Sequence, residues 1–271
     1  MRLRSWPPPA CASPLPRSWA GPPCAMDRWR RRVLVAEGSF AGRLDPGLVE
    51  TELKLSATGE GPLQRLAGMR QLGSMPLGTP DTFLEVDRYL DTGEGRLAAA
   101  GWACRHRRRA RRHLISLKGP PAAATDGPDG AQEETLGGAL HRRPEIEGPA
   151  SARLDPRDWP ASAARDRLLE LTGGRELQER FVLRQRRTER SVRDGLVRVG
   201  ILSLDRISVV QHGAPIGRLW CVELEIERTT AAPREGPIRR LLADLLAVGG
   251  LAIEPMTKLE RAVALIDRVS A

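Results

Sequence analysis

Two short stretches of the chain place an ionisable side chain at every second residue. The residues concerned are Glu50, Glu52 and Lys54 in the first stretch and Glu223, Glu225 and Glu227 in the second. Because side chains of a β-strand alternate between its two faces, each stretch puts its charges on one face and its apolar residues on the other. An acidic face of this kind either contacts solvent or binds a hard metal ion.

Four further strand-like segments also group their charges on one face. These faces carry Arg105 and Arg107, Ser116 and Lys118, Arg143 with Glu145 and Glu147, and the basic stretch 184–188. A solvated sheet usually mixes polar residue types, whereas the signs of charge here are grouped by strand. The grouping favours an interior location for these faces over simple exposure to water.

A closed β-barrel would bring all of these charged faces into one interior. Glutamate oxygens are ligands suited to Mg²⁺ or Mn²⁺. Arginine binds phosphate oxygens through two parallel hydrogen bonds, and lysine acts as a point charge. An interior with both groups is suited to the metal complex of a polyphosphate.

The residue periodicity predicts eight strands, four helices and an α+β fold. The strands are 48–56, 82–91, 101–108, 113–118, 141–147, 180–190, 196–204 and 218–228, and the helices are 62–72, 161–172, 237–247 and 258–269. Gly173 and Gly174 mark a helix end, and Thr257 with Glu260 form a capping box. The long connection 119–139 is interpreted as a disordered segment or a lid.

In eight blocks, this sequence resembles the CYTH domain family, the triphosphate tunnel metalloenzymes. Residues 50–54 match the family's ExExK signature. Seven further blocks follow in the family's order: 89–92 with 97–107, 117–119, 143–147, 186–188, 202–206, 223–225 and 257–261. The resemblance covers residues 48–270, and the long connection 119–139 is a departure from the family pattern.

This resemblance implies an α+β fold with a closed antiparallel eight-stranded β-barrel, or tunnel, flanked by helices. It implies metal-dependent hydrolysis of a triphosphate, with inorganic triphosphate as the first candidate. The implied ligands of Mg²⁺ or Mn²⁺ are Glu50, Glu52, Glu223 and Glu225, assisted by Glu227 and Asp205. The implied phosphate-binding residues are Arg105, Arg107, Lys118, Arg143, Arg187 and Lys258. Lys54 is expected to position or deprotonate the attacking water, and Asp205 to lie near the metal or that water.

Three alternatives remain open at this point. A class IV adenylyl cyclase or a thiamine triphosphatase would use the same tunnel, and a non-catalytic binder of polyphosphate or nucleotides would keep the basic residues.

Arg186 is an alternative to Arg187, because the register of 184–188 is ambiguous. Tyr89 is interpreted as a core residue in preference to a catalytic one.

Composition narrows the possible partners and the compartment. The net charge is +9, and lysine occurs only at positions 54, 118 and 258. This charge suits a small anion as well as nucleic acid, but the chain has one Tyr and three Phe for stacking on bases, so no nucleic-acid partner is expected. Four cysteines without metal or disulfide spacing favour the cytoplasm. No apolar run is long enough to span a membrane.

The first part of the chain differs in composition from the rest. Residues 1–25 are rich in proline and lack periodicity, and arginine stays frequent up to residue 47. We therefore predict a disordered extension over 1–47 and one tunnel domain over 48–271. Met26 is an alternative start of the chain.

Overall fold

The computed structural model describes residues 49–121, 136, 138–227 and 235–270. The predicted extension 1–47 and most of the connection 119–139 lie outside these described residues.

Eight antiparallel strands form a closed barrel with the neighbour order β10-β9-β8-β4-β5-β6-β7-β1, in which β10 also pairs with β1. The strands are β1 (Val49–Ala57), β4 (Asp81–Thr92), β5 (Ala103–Arg109), β6 (Arg112–Lys118), β7 (Leu140–Ala150), β8 (Leu177–Asp194), β9 (Val197–Gln211) and β10 (Ala214–Ile226). A short hairpin, β2 (Gln71–Leu72) and β3 (Met75–Pro76), lies apart, and β11 (Leu251–Ile253) pairs with the second half of β1. The predicted α+β fold and the closed eight-stranded barrel are confirmed.

In the described part of the chain, five helices flank the barrel. They are α1 (Glu60–Gly68), α2 (Arg96–Ala99), α3 (Ala163–Thr172), α4 (Glu235–Ala247) and α5 (Lys258–Ser270). The helices α1 and α4 pack on the outer side of the barrel, where Leu53 and Leu55 of β1 share one buried cluster with Leu63 and Leu245. The helix α3 covers β6 through Ile115 and Leu168. These contacts explain why the outer faces of β1 and β6 are apolar.

The helix α5 packs differently, because its apolar side contacts residues that continue the inner faces of the strands. Leu259 and Val263 share a cluster with Phe181, Ile207 and Leu219. The inner face of the long strands is thus apolar near α5 and charged farther along. One end of the barrel interior is therefore closed by this helix.

Local capping signals of the sequence are confirmed. The Thr257 amide donates to Glu260 Oε2 at 2.6 Å, and the Glu260 amide donates to Thr257 Oγ1 at 3.2 Å, which is the predicted capping box. Gly173 has a φ of 62° and ends α3, as predicted. The predicted helix 62–72 is shifted, because α1 ends at Gly68 and Met69 is already extended.

Some short elements were missed by the periodicity. The sequence pattern did not predict the short strands β2, β3 and β11 or the four-residue helix α2, because two to four residues cannot display a period. No helix among the described residues has the length and apolar character needed to cross a membrane.

Candidate functional site

The strand register brings the two acidic stretches side by side. Glu52 on β1 is opposite Glu225 on β10, and Lys54 is opposite Glu223. Leu53 and Leu224 form the intervening pair and are buried on the outer side, against the helices. The alternation read from the sequence thus places the charged residues of both strands in the barrel interior.

A cavity of about 50 Å³ lies in this interior beside the start of α5. Six of its lining side chains are charged: Lys54, Arg105, Lys118, Arg143, Glu223 and Lys258. The rest of the lining consists of Tyr89, Ala103, Thr257 and Leu259. Five of the predicted functional cations therefore meet at one place, although they come from β1, β5, β6, β7 and α5.

Lys118 on β6 is surrounded by carboxylates from β1 and β7. Its ammonium contacts Glu50 directly and lies 3.3 Å from Glu145 Oε2 and 4.0 Å from Glu52 Oε1. Burial raises the pKa of Glu50; Lys118 opposes this, and Glu52 and Glu145 add to it, so the pKa of Glu50 reaches about 8. The carboxylates on this side therefore outnumber the cations that neutralise them.

Glu145 belongs to the same group of side chains. It accepts a hydrogen bond from Ser116 and another from Arg105 Nη2 at 3.3 Å. Burial opposes its charged form, but Lys118, Arg105 and Ser116 outweigh burial and hold the pKa of Glu145 at about 2. Sequence reasoning noted Glu145 in its motif without giving it a role in the site.

Lys54 and Lys258 have separate carboxylate partners. Lys54 Nζ lies 2.7 Å from Glu52 Oε1. Lys258 Nζ lies 2.6 Å from Asp205 Oδ2 and 2.5 Å from Glu223 Oε2. Burial disfavours the charged form of Glu223, but Lys258, Lys54 and other cations dominate and keep the pKa of Glu223 well below its ordinary value.

Asp205 is fully buried and does not line the cavity. Arg187 donates two hydrogen bonds of 2.8 Å to its carboxylate, and Lys258 donates a third. Arg187 and Lys258 lower the pKa of Asp205 despite its burial. Arg187 faces the interior whereas Arg186 is exposed, which resolves the ambiguous register of 184–188.

A second buried network lies farther along β4, β5 and β8. Arg107 donates two hydrogen bonds of 2.7 Å to Asp87, and Arg109 Nη2 lies 2.5 Å from Glu85 Oε1. Gln185 donates to Glu85 at 2.7 Å and to Asp87 at 3.0 Å. Arg107 was predicted to bind phosphate, but it is absent from the lining of the cavity. Glu85, Asp87 and Gln185 were not identified from the sequence.

The acidic residues at the other end of the interior are less enclosed. Glu225 is exposed, and partial desolvation together with Glu145 and Glu52 raises the pKa of its carboxyl group. Glu227 follows the end of β10 and pairs with Arg198. Within the described ranges, no three His, Cys, Asp or Glu side chains are arranged to hold a metal ion. The predicted quartet is divided, because Glu223 turns towards Lys258 while Glu52 remains near both Glu50 and Glu225.

Tyr89 contributes the apolar wall of the cavity together with Leu259 and Ala103. Its ring stacks on Phe181 with ring centroids 4.8 Å apart, and the residue is buried. These contacts agree with a packing role that also gives the cavity its shape.

Comparison with known families identifies the architecture. The model of the CYTH domain matches residues 49–257. The chain belongs to the CYTH domain family. Members of this family are triphosphatases or cyclases, and the triphosphate tunnel enzymes among them generally depend on a divalent metal.

Two solved structures with the CYTH fold are similar to this chain. HpAC1 from Hippeastrum, a candidate adenylyl cyclase described as having a dominant triphosphatase activity, is 19% identical, with 79% of this chain and 95% of that chain covered and a TM-score of 0.53. A candidate adenylate cyclase from Bacillus halodurans is 18% identical, with 79% and 98% covered and a TM-score of 0.49. A comparison with curated protein sequences gives no significant match.

Proposed function

We propose that this CYTH protein is a metal-dependent triphosphatase that hydrolyses inorganic triphosphate inside its barrel. The observation that carries the proposal is the convergence of Lys54, Arg105, Lys118, Arg143 and Lys258 on one cavity. Catalysis of phosphoryl transfer depends mainly on positioning and charge neutralisation, and a ring of cations supplies both.

The lining of the cavity favours a compact anion over a nucleotide, because six of its ten side chains are charged. Its apolar wall, formed by Tyr89, Ala103 and Leu259, is built from residues packed against Phe181 and α5. A linear triphosphate needs cations along its length and has no apolar part to bury.

Three of the five cations are held in the charged state by buried carboxylates. Burial disfavours the charged form of each, but Asp87 and Glu145 raise the pKa of Arg105, and Glu145 with Glu52 and Glu50 raise that of Lys118. Asp205 and Glu223 do the same for Lys258. Arg105 Nε is buried without a hydrogen-bond partner among the described residues, and Arg143 has no ion pair with a described carboxylate. Both groups are suited to contact a phosphate.

The carboxylates Glu50, Glu52 and Glu225 are the proposed ligands of the divalent metal, and Glu50 and Glu52 would have to turn from Lys118 and Lys54 to hold it. Carboxylates are hard oxygen ligands, and their crowding with Glu145 is relieved when a cation lies between them. Bound there, Mg²⁺ or Mn²⁺ would neutralise charge on the phosphate oxygens. Glu223 lies opposite Lys54 and would join the ligands only by leaving Lys258.

Lys54 is proposed to orient the attacking water. It lines the cavity and is held 2.7 Å from Glu52, so its ammonium is fixed between the proposed metal ligands and the phosphate-binding cations. Asp205 is proposed to act through Arg187 and Lys258, because it is buried beneath both and does not reach the cavity.

The experiment is a phosphate-release assay on inorganic triphosphate, ATP and thiamine triphosphate with Mg²⁺ and with Mn²⁺, run beside an assay for cyclic AMP. Highest kcat/KM on inorganic triphosphate supports the proposal. Cyclic AMP formation would instead identify a cyclase, and preferred thiamine triphosphate cleavage a thiamine triphosphatase. Binding of triphosphate without release of phosphate or pyrophosphate would identify a binding module.

The cytoplasm is the proposed compartment. Cys104 and Cys221 are free and buried in the described part of the chain, which is compatible with a reducing environment.

A further inference from the structure

A four-residue turn connects β11 to α5 and is attached to two strands of the barrel. The Glu254 amide donates to the Lys54 carbonyl at 3.1 Å, which ties the turn to β1. The carbonyl of Glu254 lies 3.0 Å from His141 Nε2 on β7. The turn that precedes Lys258 is thus joined through the backbone to Lys54, the proposed water-orienting residue.

An ion pair joins this turn to α5. Arg261 Nε lies 3.1 Å from Glu254 Oε2, and the two side chains are only 13% and 11% exposed. The other oxygen of Glu254 accepts a hydrogen bond of 3.1 Å from the Met256 amide. Arg261 Nη1 also lies 3.1 Å from Cys221 Sγ and 3.5 Å from the Trp220 carbonyl, both on β10. The pair therefore connects the turn, the helix and the strand that carries Glu223.

Lys258 needs such support because of its place in the helix. It is the first residue of α5, where the positive end of the helix dipole disfavours a cation. Its flexible side chain must nevertheless enter the barrel to reach Asp205 and Glu223. The capping box fixes the first turn of the helix through hydrogen bonds between its own two residues.

We propose that Glu254 and Arg261 are positioning residues that hold Lys258 in the tunnel. Neither side chain lines the cavity, so they act through the placement of the turn and of α5 against β10. The role assigned to Lys258 rests on the proposed function, because it assumes that this lysine contacts a triphosphate.

The test measures the Kd of tripolyphosphate by calorimetry and its kinetic constants with Mg²⁺. Arg261→Gln and Glu254→Gln should each raise Kd and KM about tenfold, with a smaller change in kcat. This rise corresponds to displacement of one charge-assisted contact, the one between Lys258 and the triphosphate. Arg261→Lys keeps the charge and should recover part of the affinity. In the Lys258→Ala background, Arg261→Gln should add little further loss, because the group it positions is gone.

A matched control is the ion pair between Glu60 and Arg206, which lie 2.7 Å apart and join α1 to β9 outside the tunnel. Glu60→Gln should leave the Kd of tripolyphosphate unchanged. The positioning role is rejected if Arg261→Gln and Arg261→Lys lower the melting temperature but leave the Kd of tripolyphosphate unchanged. It is also rejected if Arg261→Gln causes the same loss of affinity in the presence and in the absence of Lys258. Because Kd is measured separately from turnover, a wild type that binds tripolyphosphate without cleaving it would reject the triphosphatase and still test the positioning.

Discussion

Arg105 and Arg107 share the inner face of β5, yet only Arg105 lines the cavity. Arg105 lies beside Glu145 and Glu147, at 3.3 Å and 3.6 Å, and its Nε is buried without a partner in the described part of the chain. Arg107 is held by both oxygens of Asp87. Two arginines of one motif thus have different partners, and their substitution should have different consequences.

Arg105→Ala should mainly weaken substrate binding, because it removes a cation from the cavity. The carboxylate that Arg105 leaves, Glu145, is less enclosed than Asp87. We expect KM for triphosphate to rise by about tenfold or more, equivalent to one charge-assisted hydrogen bond of roughly 1.5–3 kcal/mol. Arg107→Ala should mainly reduce the free energy of unfolding, by about 3–5 kcal/mol, because Asp87 is left buried and unpaired. Steady-state kinetics and urea unfolding of both variants check this, and equal rises of KM with equal stability would contradict it.

Lys54→Ala should lower kcat by about a hundredfold with little change in KM, since general acid–base and water-positioning groups contribute in that range. The matched control is Ser56→Ala, two residues along the same face of β1, which should leave kcat unchanged. If Lys54→Ala alters only KM, Lys54 is a phosphate-binding residue like Lys118.

Glu50→Gln should reduce kcat by about a hundredfold or more while the chain stays folded, because a metal ligand is lost and the shape of the side chain is kept. Removal of divalent metal with a chelator should abolish turnover, and Mg²⁺ or Mn²⁺ should restore it. Glu179→Gln, on the outer wall beside Arg88, serves as the control. Normal turnover of Glu50→Gln at saturating Mg²⁺ would remove Glu50 from the site.

His106 should make a contribution to stability that is lost as the pH falls through about 6.5, the usual pKa of histidine. Burial lowers the pKa of His106, the Ser151 carbonyl opposes this, and His113 and Arg88 lower it further. At His106 the unfolded chain therefore takes up a proton near pH 6.5 that the folded protein does not, so this residue lowers the free energy of unfolding below that pH, whereas the raised pKa of Glu50 acts in the opposite direction. Melting temperatures at pH 7.5, 6.5 and 5.5 measure the effect.

His106→Gln keeps a donor for the Ser151 carbonyl and should remove this contribution, so the melting temperature at pH 5.5 relative to that at pH 7.5 should be higher than in the wild type. His212→Asn, at an exposed turn with positive φ, should leave it as in the wild type. An unchanged slope in His106→Gln would show that other groups carry the effect.

Much of the barrel could be predicted because its strands obey a period of two with strong contrast between faces. On β1, apolar Leu53 and Leu55 alternate with Glu52 and Lys54, and the structure follows that alternation. On β4, Glu85 and Asp87 alternate in the same way but were missed. The apolar residues Phe83, Val86 and Tyr89 of this strand do not share one face, so the alternation is weaker there.

The partners of the charged residues could not be predicted, since they depend on register and tilt between distant strands. No local signal in the sequence links Arg107 to Asp87 or Lys258 to Asp205. The same limit applies to Arg261, whose role arises only from the meeting of a turn, a helix and β10.

The pairing of β1 with β10 has a consequence for how the protein folds during synthesis. Glu52 meets Glu225, so the first and last strands of the barrel cannot pair until almost all of the domain has left the ribosome. Contacts so distant in sequence slow folding. Until closure, β1 and β10 are open sheet edges that could pair with other chains, so the nascent protein should depend on chaperones more than its finished barrel suggests.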